Sequence, residues 1–358
     1  MAKGRQPVTV EFPVGKDRAP GLVPGQAKLV IQAEANNLRG LETRLTQEAR
    51  VMRGRPEIHA GKDRVFLRRG GTGIVAFRTG GEWSEAGVKV GRHEFPGFAV
   101  KSDPSRQVVM FAYPPDVDVA TAPLAFARNL AGDEVTAPFR HRVTRLRFRE
   151  REVRIGDAFL NRVVSQVDPS GNGELWQRFA KINSETRRAN DKFIAALNSK
   201  TGPAPLWKGP FMLLPKAANE ARFADYRTYL YQGRELNREW HLGVDLASVK
   251  NAPLPAANRG VVLFAGQLGI YGNCVVIDHG LGLQSIYGHL AKVDVREGDK
   301  VERGQIIGNT GMTGLAGGDH AHFGMQLHGV YVDPVEWSLP KWIDKTVMPL
   351  LSQIEGPK

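Results

Sequence analysis

The chain has 358 residues, of which 42% are hydrophobic, and it carries a formal net charge of +12 at pH 7. This length predicts two or three domains. A single cysteine excludes an internal disulfide and any zinc site built from several cysteines. No run approaches about 18 uninterrupted apolar residues, so the sequence predicts no membrane-spanning helix.

Residues 1–155 are predicted to form an N-terminal β-domain. Strand-like runs punctuated by Gly, Pro and Asp lie at 8–12, 28–32, 64–68, 73–77 and 108–112. The segment 124–132 is similar to the late strand and turn of bacterial immunoglobulin-like modules, so we expect a β-sandwich, alone or with a smaller added sheet. Residues 145–149 alternate basic and apolar side chains, which predicts a further strand with one wet face.

Residues 156–205 are predicted to form a helical connector followed by a linker. Apolar or small residues recur there at steps of three and four, which is typical of an amphipathic helix. They are Leu175, Phe179, Ile182, Thr186, Ala189, Phe193 and Leu197. We expect this helix to pack against a neighbouring domain, and the run TGPAP at 201–205 to act as a stiff linker.

The excess of positive charge is confined to the first part of the chain. Residues 1–200 contain 34 Lys and Arg against 22 Asp and Glu, whereas residues 201–358 contain 15 of each kind. Such an excess favours attraction to anionic wall polymers or lipid headgroups, and a solvated basic surface is an equally weighted alternative. No aromatic-plus-basic recognition motif interrupts it, so we expect no nucleic-acid partner.

The chemistry-bearing residues lie between His241 and His322. Two imidazoles and one carboxylate form a three-ligand zinc set that leaves a fourth position for water, as in catalytic zinc sites. The run from 320 to 327 alternates polar and apolar residues, which predicts a half-buried strand with His320 and His322 on one face. A second strand places Ser285, Tyr287 and His289 on one face, and His289 is thus a candidate for the same cleft.

Residues from about 206 to 345 resemble the lysostaphin/LytM family of zinc endopeptidases, which cut the peptide part of bacterial peptidoglycan. The matching segments are HLGVDLAS (241–248), YGNCVVIDHG (271–280), YGHL (287–290), VREGDKVERGQIIGNTGMTG (295–314) and HAHFGM (320–325). The resemblance implies an antiparallel β-sheet metallopeptidase domain, followed by a tail at 346–358. It also implies one Zn²⁺ per chain, with His241, Asp245 and His322 as ligands and His289 and His320 as catalytic residues.

The reaction that this resemblance implies is hydrolysis of a peptide cross-link. Zinc lowers the pKa of a bound water from ~16 towards ~7. Because the segment holds no well-placed Glu, His289 and His320 are the candidates for acid/base work and for steadying the oxyanion, with their individual roles left open. Tyr226, Tyr229 and Tyr231 are candidate donors to the oxyanion.

Stem peptides of peptidoglycan are the expected substrate. The sequence shows no recognisable module for glycine bridges, which favours direct cross-links and a D,D-endopeptidase. Two alternatives stay open: a non-catalytic regulator or scaffold of another wall hydrolase, and a zinc peptidase that cuts proteins. Oligomeric state is not predicted. A wall substrate implies an extracytoplasmic protein, in the periplasm or cell envelope. Because the opening residues lack the apolar core of a signal peptide, we expect the natural precursor to supply an export signal or anchor.

The remaining histidines and the cysteine are predicted to be structural or surface residues. His279 and His328 each precede a glycine and are expected to lie in turns. Surface positions are expected for His59, His93 and His141. Cys274, in an apolar run, is expected to act as a small core residue.

Overall fold

The computed structural model describes residues 25–34, 42–51 and 54–355. The chain is mostly β, with a helical section between two β-rich parts, which confirms the fold class predicted from the sequence. No helix in the described ranges is both long and apolar enough to cross a membrane.

The first part is built from two four-stranded antiparallel sheets. Its strands are β1 (Gly25–Glu34), β2 (Glu42–Val51), β3 (Pro56–Ala60), β4 (Val65–Arg68), β5 (Thr72–Gly81), β6 (Glu85–Val90), β7 (His93–Pro96), β8 (Phe98–Val100), β9 (Asp103–Ala112), β10 (Leu124–Arg128), β11 (Glu134–Pro138), β12 (His141–Thr144) and β13 (Glu150–Arg154). The sheet orders are β11-β10-β6-β7 and β3-β5-β9-β8. A separate hairpin joins β1 to β2, and β12 pairs in parallel with β4.

The two sheets enclose a dry core of β-branched and aromatic side chains. Val88, Phe95, Val108 and Phe111 are fully buried. Full burial of side chains of this size contributes roughly 1.5–3 kcal/mol each relative to exposure, which makes apolar burial the main term holding the sheets together.

Most of the predicted strand positions are confirmed in this part. The runs at 28–32, 64–68, 73–77 and 108–112 fall in or overlap β1, β4, β5 and β9, while the run at 8–12 lies outside the described residues. The strand predicted at 145–149 is wrong: its apolar side chains are half-buried and its arginines exposed, as the pattern indicates, but it pairs with no neighbouring strand. An alternation of basic and apolar residues indicates that one side of the segment is exposed and the other is not. It does not indicate whether the backbone pairs with another strand.

The middle part is helical. It consists of α1 (Asp157–Val167), α2 (Leu175–Lys181), a π-helical segment (Ile182–Thr186), α3 (Arg187–Ala196) and a 3₁₀ turn (Leu197–Lys200). The predicted apolar stripe is buried at Phe179, Ile182 and Leu197. Within α3 the buried positions are Asn190 and Ile194 rather than the predicted Ala189 and Phe193, of which Phe193 is 40% exposed. The wider π turn adds one residue to the helix, and the buried positions of α3 are accordingly displaced by one residue.

The last part contains an eight-stranded antiparallel sheet, in the order β14-β17-β25-β21-β20-β19-β23 with β26 on β25. Its strands and helices are β14 (Ala218–Ala221), β15 (Asp225–Tyr231), β16 (Arg234–His241), β17 (Val244–Ala247), β18 (Pro253–Pro255), β19 (Gly260–Gln267), a 3₁₀ turn (Gly269–Tyr271), β20 (Asn273–Asp278), β21 (Leu283–Leu290), β22 (Lys292–Val293), β23 (Lys300–Val301), β24 (Ile306–Asn309), β25 (Ala321–Leu327), β26 (Val330–Val332), α4 (Pro334–Trp337), α5 (Pro340–Trp342), a π-helical segment (Ile343–Val347) and α6 (Met348–Glu355).

Two smaller sheets flank this one. Strands β18, β24 and β22 form the first, and β13, β15 and β16 form the second. In the second sheet, β13 arrives from the N-terminal side of the helical section and pairs in parallel with β15.

Strand β25 is buried along its whole length, so the prediction of a half-buried strand is wrong. The polar face that begins with His322 is covered rather than wet. A methyl group placed on Gly288, opposite His322, would lie 3.3 Å from the ring of Tyr271, and one placed on Gly324 would lie 3.3 Å from the carbonyl of Leu242. Loops from neighbouring strands therefore close over this face.

A buried carboxylate joins the first β-rich part to the last. Glu336 on α4 accepts a hydrogen bond from the amide of Thr72 at 2.7 Å and lies 3.4 Å from Nε of Arg68. Burial raises the pKa of Glu336 to about 7, although Arg68 opposes the shift. The folded state therefore favours the protonated acid.

Stability is expected to fall as pH rises from about 4.5 to about 7, since across that window the folded protein holds a proton that the unfolded chain releases. The raised pKa of Glu336 corresponds to roughly 3 kcal/mol of the free energy of unfolding. This contribution is present below the pKa of Glu336 in the unfolded chain and is lost above its pKa in the folded protein. Urea denaturation at pH 5 and pH 8 measures it. Glu336→Gln keeps an acceptor for the amide of Thr72 and should flatten the pH dependence of the free energy of unfolding. The control variant Glu297→Gln, on the surface, should leave this pH dependence unchanged. Equal pH slopes for all three proteins would contradict this assignment.

Candidate metal centre

Three strands bring His241, Asp245 and His322 to one point. His241 is the last residue of β16, and Asp245 lies on β17 directly opposite His322 on β25. Antiparallel partners in direct register point to the same side of a sheet. The structure therefore places together the three residues that the sequence nominated as ligands.

Their ligand atoms are spaced as a tetrahedral zinc site requires. Asp245 Oδ1 lies 2.9 Å from His241 Nε2 and 3.1 Å from His322 Nδ1, and the two nitrogens are 3.1 Å apart. Zinc bonds of about 2.0–2.1 Å imply tetrahedral edges of about 3.3 Å, and nitrogen with carboxylate oxygen is a usual donor set for zinc. Within the described ranges this is the group of side chains that could hold a metal ion.

The atoms His241 Nε2, Asp245 Oδ1 and His322 Nδ1 form the ligand triangle. Hydrogen bonds from residues outside this triangle orient two of the three ligands. Nδ1 of His241 donates to the carbonyl of Arg222 at 3.0 Å, which leaves the Nε2 lone pair directed at the site. Arg227 Nη2 donates to Asp245 Oδ2 at 3.0 Å, so Oδ1 is the oxygen that remains for a metal. Nε2 of His322 is buried and has no partner among the described residues.

Gly243 is required by the close approach of the backbone to His322. A Cβ atom at this position would lie 2.6 Å from both Cε1 and Nε2 of the His322 ring and 2.8 Å from the carbonyl oxygen of Phe323. The glycine in the HLGVD segment is thus part of what lets β17 pair with β25 beside the ligands.

His289 reaches the site by a route that alternation does not predict. Ser285 and Tyr287 face away from it, since they hydrogen-bond to each other at 3.0 Å and Tyr287 accepts from the amide of Ala257. The prediction that His289 shares their face is wrong. Its φ of +65° lies in the left-handed region and turns the ring to the opposite side, with its centre 5.8 Å from that of His322.

The two additional histidines present their Nε2 atoms to the same space. Nδ1 of His289 donates to the carbonyl of Thr313 at 2.8 Å, and Nδ1 of His320 donates to that of Gly318 at 2.8 Å. Because a carbonyl oxygen only accepts, each Nδ1 carries a hydrogen, so Nε2 is the atom of each ring that can gain or release a proton on the side of the cavity. Nε2 of His320 lies 3.4 Å from Asp245 Oδ1, and the His289 and His320 ring centres are 4.8 Å apart.

Burial and neighbouring charges shift the pKa values of Asp245, His289, His320 and His322 in different directions. Burial opposes ionisation of Asp245, but the surrounding histidines hold the pKa of its carboxyl well below its usual range. Burial lowers the pKa of His322 to about 4, and burial with the neighbouring His320 and His322 rings puts the pKa of His289 well below its usual value. The pKa of His320 is raised, because its contact with Asp245 outweighs the effect of burial.

A cavity of about 70 Å³ opens over the metal centre. Four polar or charged residues that line this cavity were not predicted from the sequence. Arg227 and Tyr271 belong to the last part of the chain, and Arg187 and Asp191 lie on α3. The hydroxyl of Tyr271 donates to Asp191 Oδ1 at 2.7 Å, which ties the helix to the cavity. The sequence of α3 contains no pattern that indicates its contact with Tyr271, because the two are far apart in the chain.

The tyrosines proposed as oxyanion donors lie outside this cavity. Tyr226 packs on Trp240, and the hydroxyl of Tyr231 donates to Asp157. Tyr229 lines an adjoining groove of about 400 Å³ that shares Arg227, Asp245 and His320 with the metal centre. Tyr271 is the tyrosine on the cavity wall itself.

The other histidines and the cysteine have structural surroundings. His279 is fully buried, with Nδ1 on the carbonyl of Arg259 and Nε2 on Ser285 Oγ, both at 2.7 Å. His328 lies in a turn at φ +49° and stacks on Phe98. His59 is exposed, His93 and His141 are half-buried, and Cys274 is a free thiol in the core.

Comparison with known proteins identifies the region around the metal centre. The model of Peptidase family M23 matches residues 239–334. The DD-carboxypeptidase/endopeptidase Mpg of Neisseria meningitidis serogroup B (strain MC58) is 39% identical over 100 residues, which cover 28% of this chain and 23% of that protein. The peptidoglycan DD-endopeptidase ShyA of Vibrio cholerae is 37% identical over 100 residues, with the same two coverages.

A crystal structure of a Pseudomonas aeruginosa protein, described as an M23 peptidase, aligns at 19% identity with a TM-score of 0.47, covering 75% of this chain and 93% of that one. The matched segment spans less than a quarter of each of the two curated relatives. Residues 239–334 contain His241, Asp245, His289, His320 and His322. This part of the chain is a Peptidase family M23 domain of the lysostaphin/LytM type.

Proposed function

We propose that the protein is a zinc-dependent endopeptidase that hydrolyses peptide cross-links of bacterial peptidoglycan. The observation that carries the proposal is the convergence of His241 Nε2, Asp245 Oδ1 and His322 Nδ1 within hydrogen-bonding distance of one another. Three close ligands leave a fourth zinc position open, which is the arrangement of a catalytic site.

Zinc in this triangle would polarise the scissile carbonyl and lower the pKa of a water molecule. His289 and His320 are the groups placed to move protons, because each is fixed by a carbonyl at Nδ1 and turns its Nε2 to the cavity. We assign acid/base work and oxyanion stabilisation to this pair. Arg227 holds Asp245 in its binding orientation through Oδ2.

The domain and its relatives support this substrate class. The names of two relatives specify DD-endopeptidase activity, and they support cleavage of D,D cross-links between stem peptides here. A wall substrate requires an extracytoplasmic location. Within this scheme, residues 206–345 form the catalytic domain, 156–205 the helical connector, 1–155 an N-terminal β-domain and 346–358 a tail.

Mass spectrometry of muropeptides released from purified sacculi tests the function. The zinc-loaded wild-type protein should convert cross-linked dimers to monomers, and His320→Ala should not. Zinc bound without any muropeptide change would instead favour a non-catalytic regulator of another wall hydrolase. Cleavage of casein with intact sacculi would favour a peptidase that acts on proteins.

A further inference from the structure

A second cavity, of about 340 Å³, lies between the first β-rich part and the M23 domain. Arginines dominate its charged lining: Arg68, Arg69, Arg147, Arg149 and Arg222, against the two carboxylates of Asp225 and Asp333. Phe148, Phe223 and Val244 supply an apolar floor. The lining of the cavity therefore combines an excess of basic side chains with apolar ones.

Two of the five arginines are matched by the two carboxylates. Arg149 donates to both oxygens of Asp225, at 2.9 and 2.6 Å, and Arg68 lies 3.0 Å from Asp333 Oδ2. Asp225 is only 1% exposed, so its pairing with Arg149 is part of the fold. These four charges cancel and leave the cavity with a positive remainder.

Arg69, Arg147 and Arg222 supply that remainder. None of them has a carboxylate partner in the part of the chain that the structure describes. Arg69 lies over the ring of Phe148 at 5.0 Å, and its Nε is buried with no hydrogen-bond partner among the described residues. A buried guanidinium N–H without an acceptor is costly, and a bound anion would satisfy it.

We propose that this cavity binds a phosphate ester. Three unmatched guanidinium groups call for more than the single charge of a carboxylate, and the guanidinium fork matches the oxygens of a phosphate. The apolar floor would hold the organic part of the ester. Two sources share this chemistry: a soluble phosphate ester and the headgroup of an anionic phospholipid.

The proposed site is distinct from the metal centre. Val244 lines the arginine cavity, whereas its neighbour Asp245 lines the metal cavity. Successive residues of a strand point to opposite faces, so β17 separates the two sites. Phosphate should therefore bind without displacing metal, and its binding does not depend on the proposed hydrolysis.

The test measures binding to the zinc-loaded full chain by isothermal titration calorimetry with glycerol 1-phosphate, and by co-sedimentation with phosphatidylglycerol vesicles against phosphatidylcholine vesicles. Arg69→Gln/Arg147→Gln should weaken binding by about ten-fold or more, since each loss removes a charge-assisted contact. Arg147→Gln alone, at an exposed position, should weaken it in the same direction and guards against misfolding of the double variant.

Arg142→Gln/Arg154→Gln removes the same charge from exposed positions outside the cavity and should bind as the wild type does. Binding of the soluble ester would identify a small-molecule site, and binding confined to phosphatidylglycerol vesicles would identify a lipid headgroup site. If both double variants lost binding affinity equally, the loss would reflect only the lower net charge of the protein, and the proposal would be overturned. Absence of binding to both probes would overturn it as well.

Discussion

Asp245→Ala and His322→Ala should each abolish bound zinc and peptidoglycan hydrolysis together. Asp245 Oδ1 lies within 3.1 Å of both ligand nitrogens, so its removal leaves two imidazoles with no carboxylate between them. Loss of one of three protein ligands removes both a bond to the ion and the charge that offsets it. Elemental analysis after dialysis, together with muropeptide release from sacculi, measures the two effects on the same sample.

His59→Ala is the matched control, because His59 is exposed on β3 in the first part of the chain and should retain both properties. Circular dichroism of each variant verifies that the fold persists. The ligand assignment fails if Asp245→Ala keeps stoichiometric zinc while losing activity, since that pattern would make Asp245 a catalytic group rather than a ligand.

His289→Ala and His320→Ala should keep zinc and lose turnover by ~100-fold or more, the usual contribution of a positioned acid or base. Both rings are fixed at Nδ1 by carbonyl oxygens, and neither belongs to the ligand triangle. The expected signature is a fall in kcat with zinc content unchanged. Measurement of kcat on a purified cross-linked muropeptide separates this from loss of substrate binding.

Either histidine could fail this test by itself. A fully active His320→Ala protein would remove that residue from proton transfer and leave His289 as the remaining candidate. Loss of zinc from either variant would show that the ligand set is larger than the triangle. The His59→Ala protein again supplies the reference for zinc content and kcat.

The grouping of His241, Asp245 and His322 could be predicted from the sequence because the segments that carry them resemble those of a known family. The structure adds the register: Asp245 and His322 are directly opposed on β17 and β25, although they are 77 residues apart in the chain. His289 lines the cavity over the metal centre, but for a reason that the sequence pattern does not contain. Alternation along β21 assigns it to the wrong face, and only the left-handed backbone at that residue corrects the direction of the ring.

Other features depend on contacts that a linear pattern does not contain. The π turn at Ile182–Thr186 displaces the buried positions of α3 by one residue, and nothing in the three-and-four spacing marks where the π turn occurs. Packing of α3 against the metal cavity through Asp191 and Tyr271 joins positions 80 residues apart. The hydrogen bond from Arg227 to Asp245 likewise depends on where β15 lies in the fold, which the linear sequence does not show.

The parallel pairing of β13 with β15 has a practical consequence for dissecting the chain. The family match begins at residue 239, yet the strand at Glu150–Arg154 completes a sheet whose other members lead into His241. A fragment starting after residue 200 would leave the backbone amides and carbonyls along one side of β15 without their natural neighbour. Such bare strand edges recruit other chains, so the shortened protein should self-associate, and a well-behaved truncation should start upstream of residue 150.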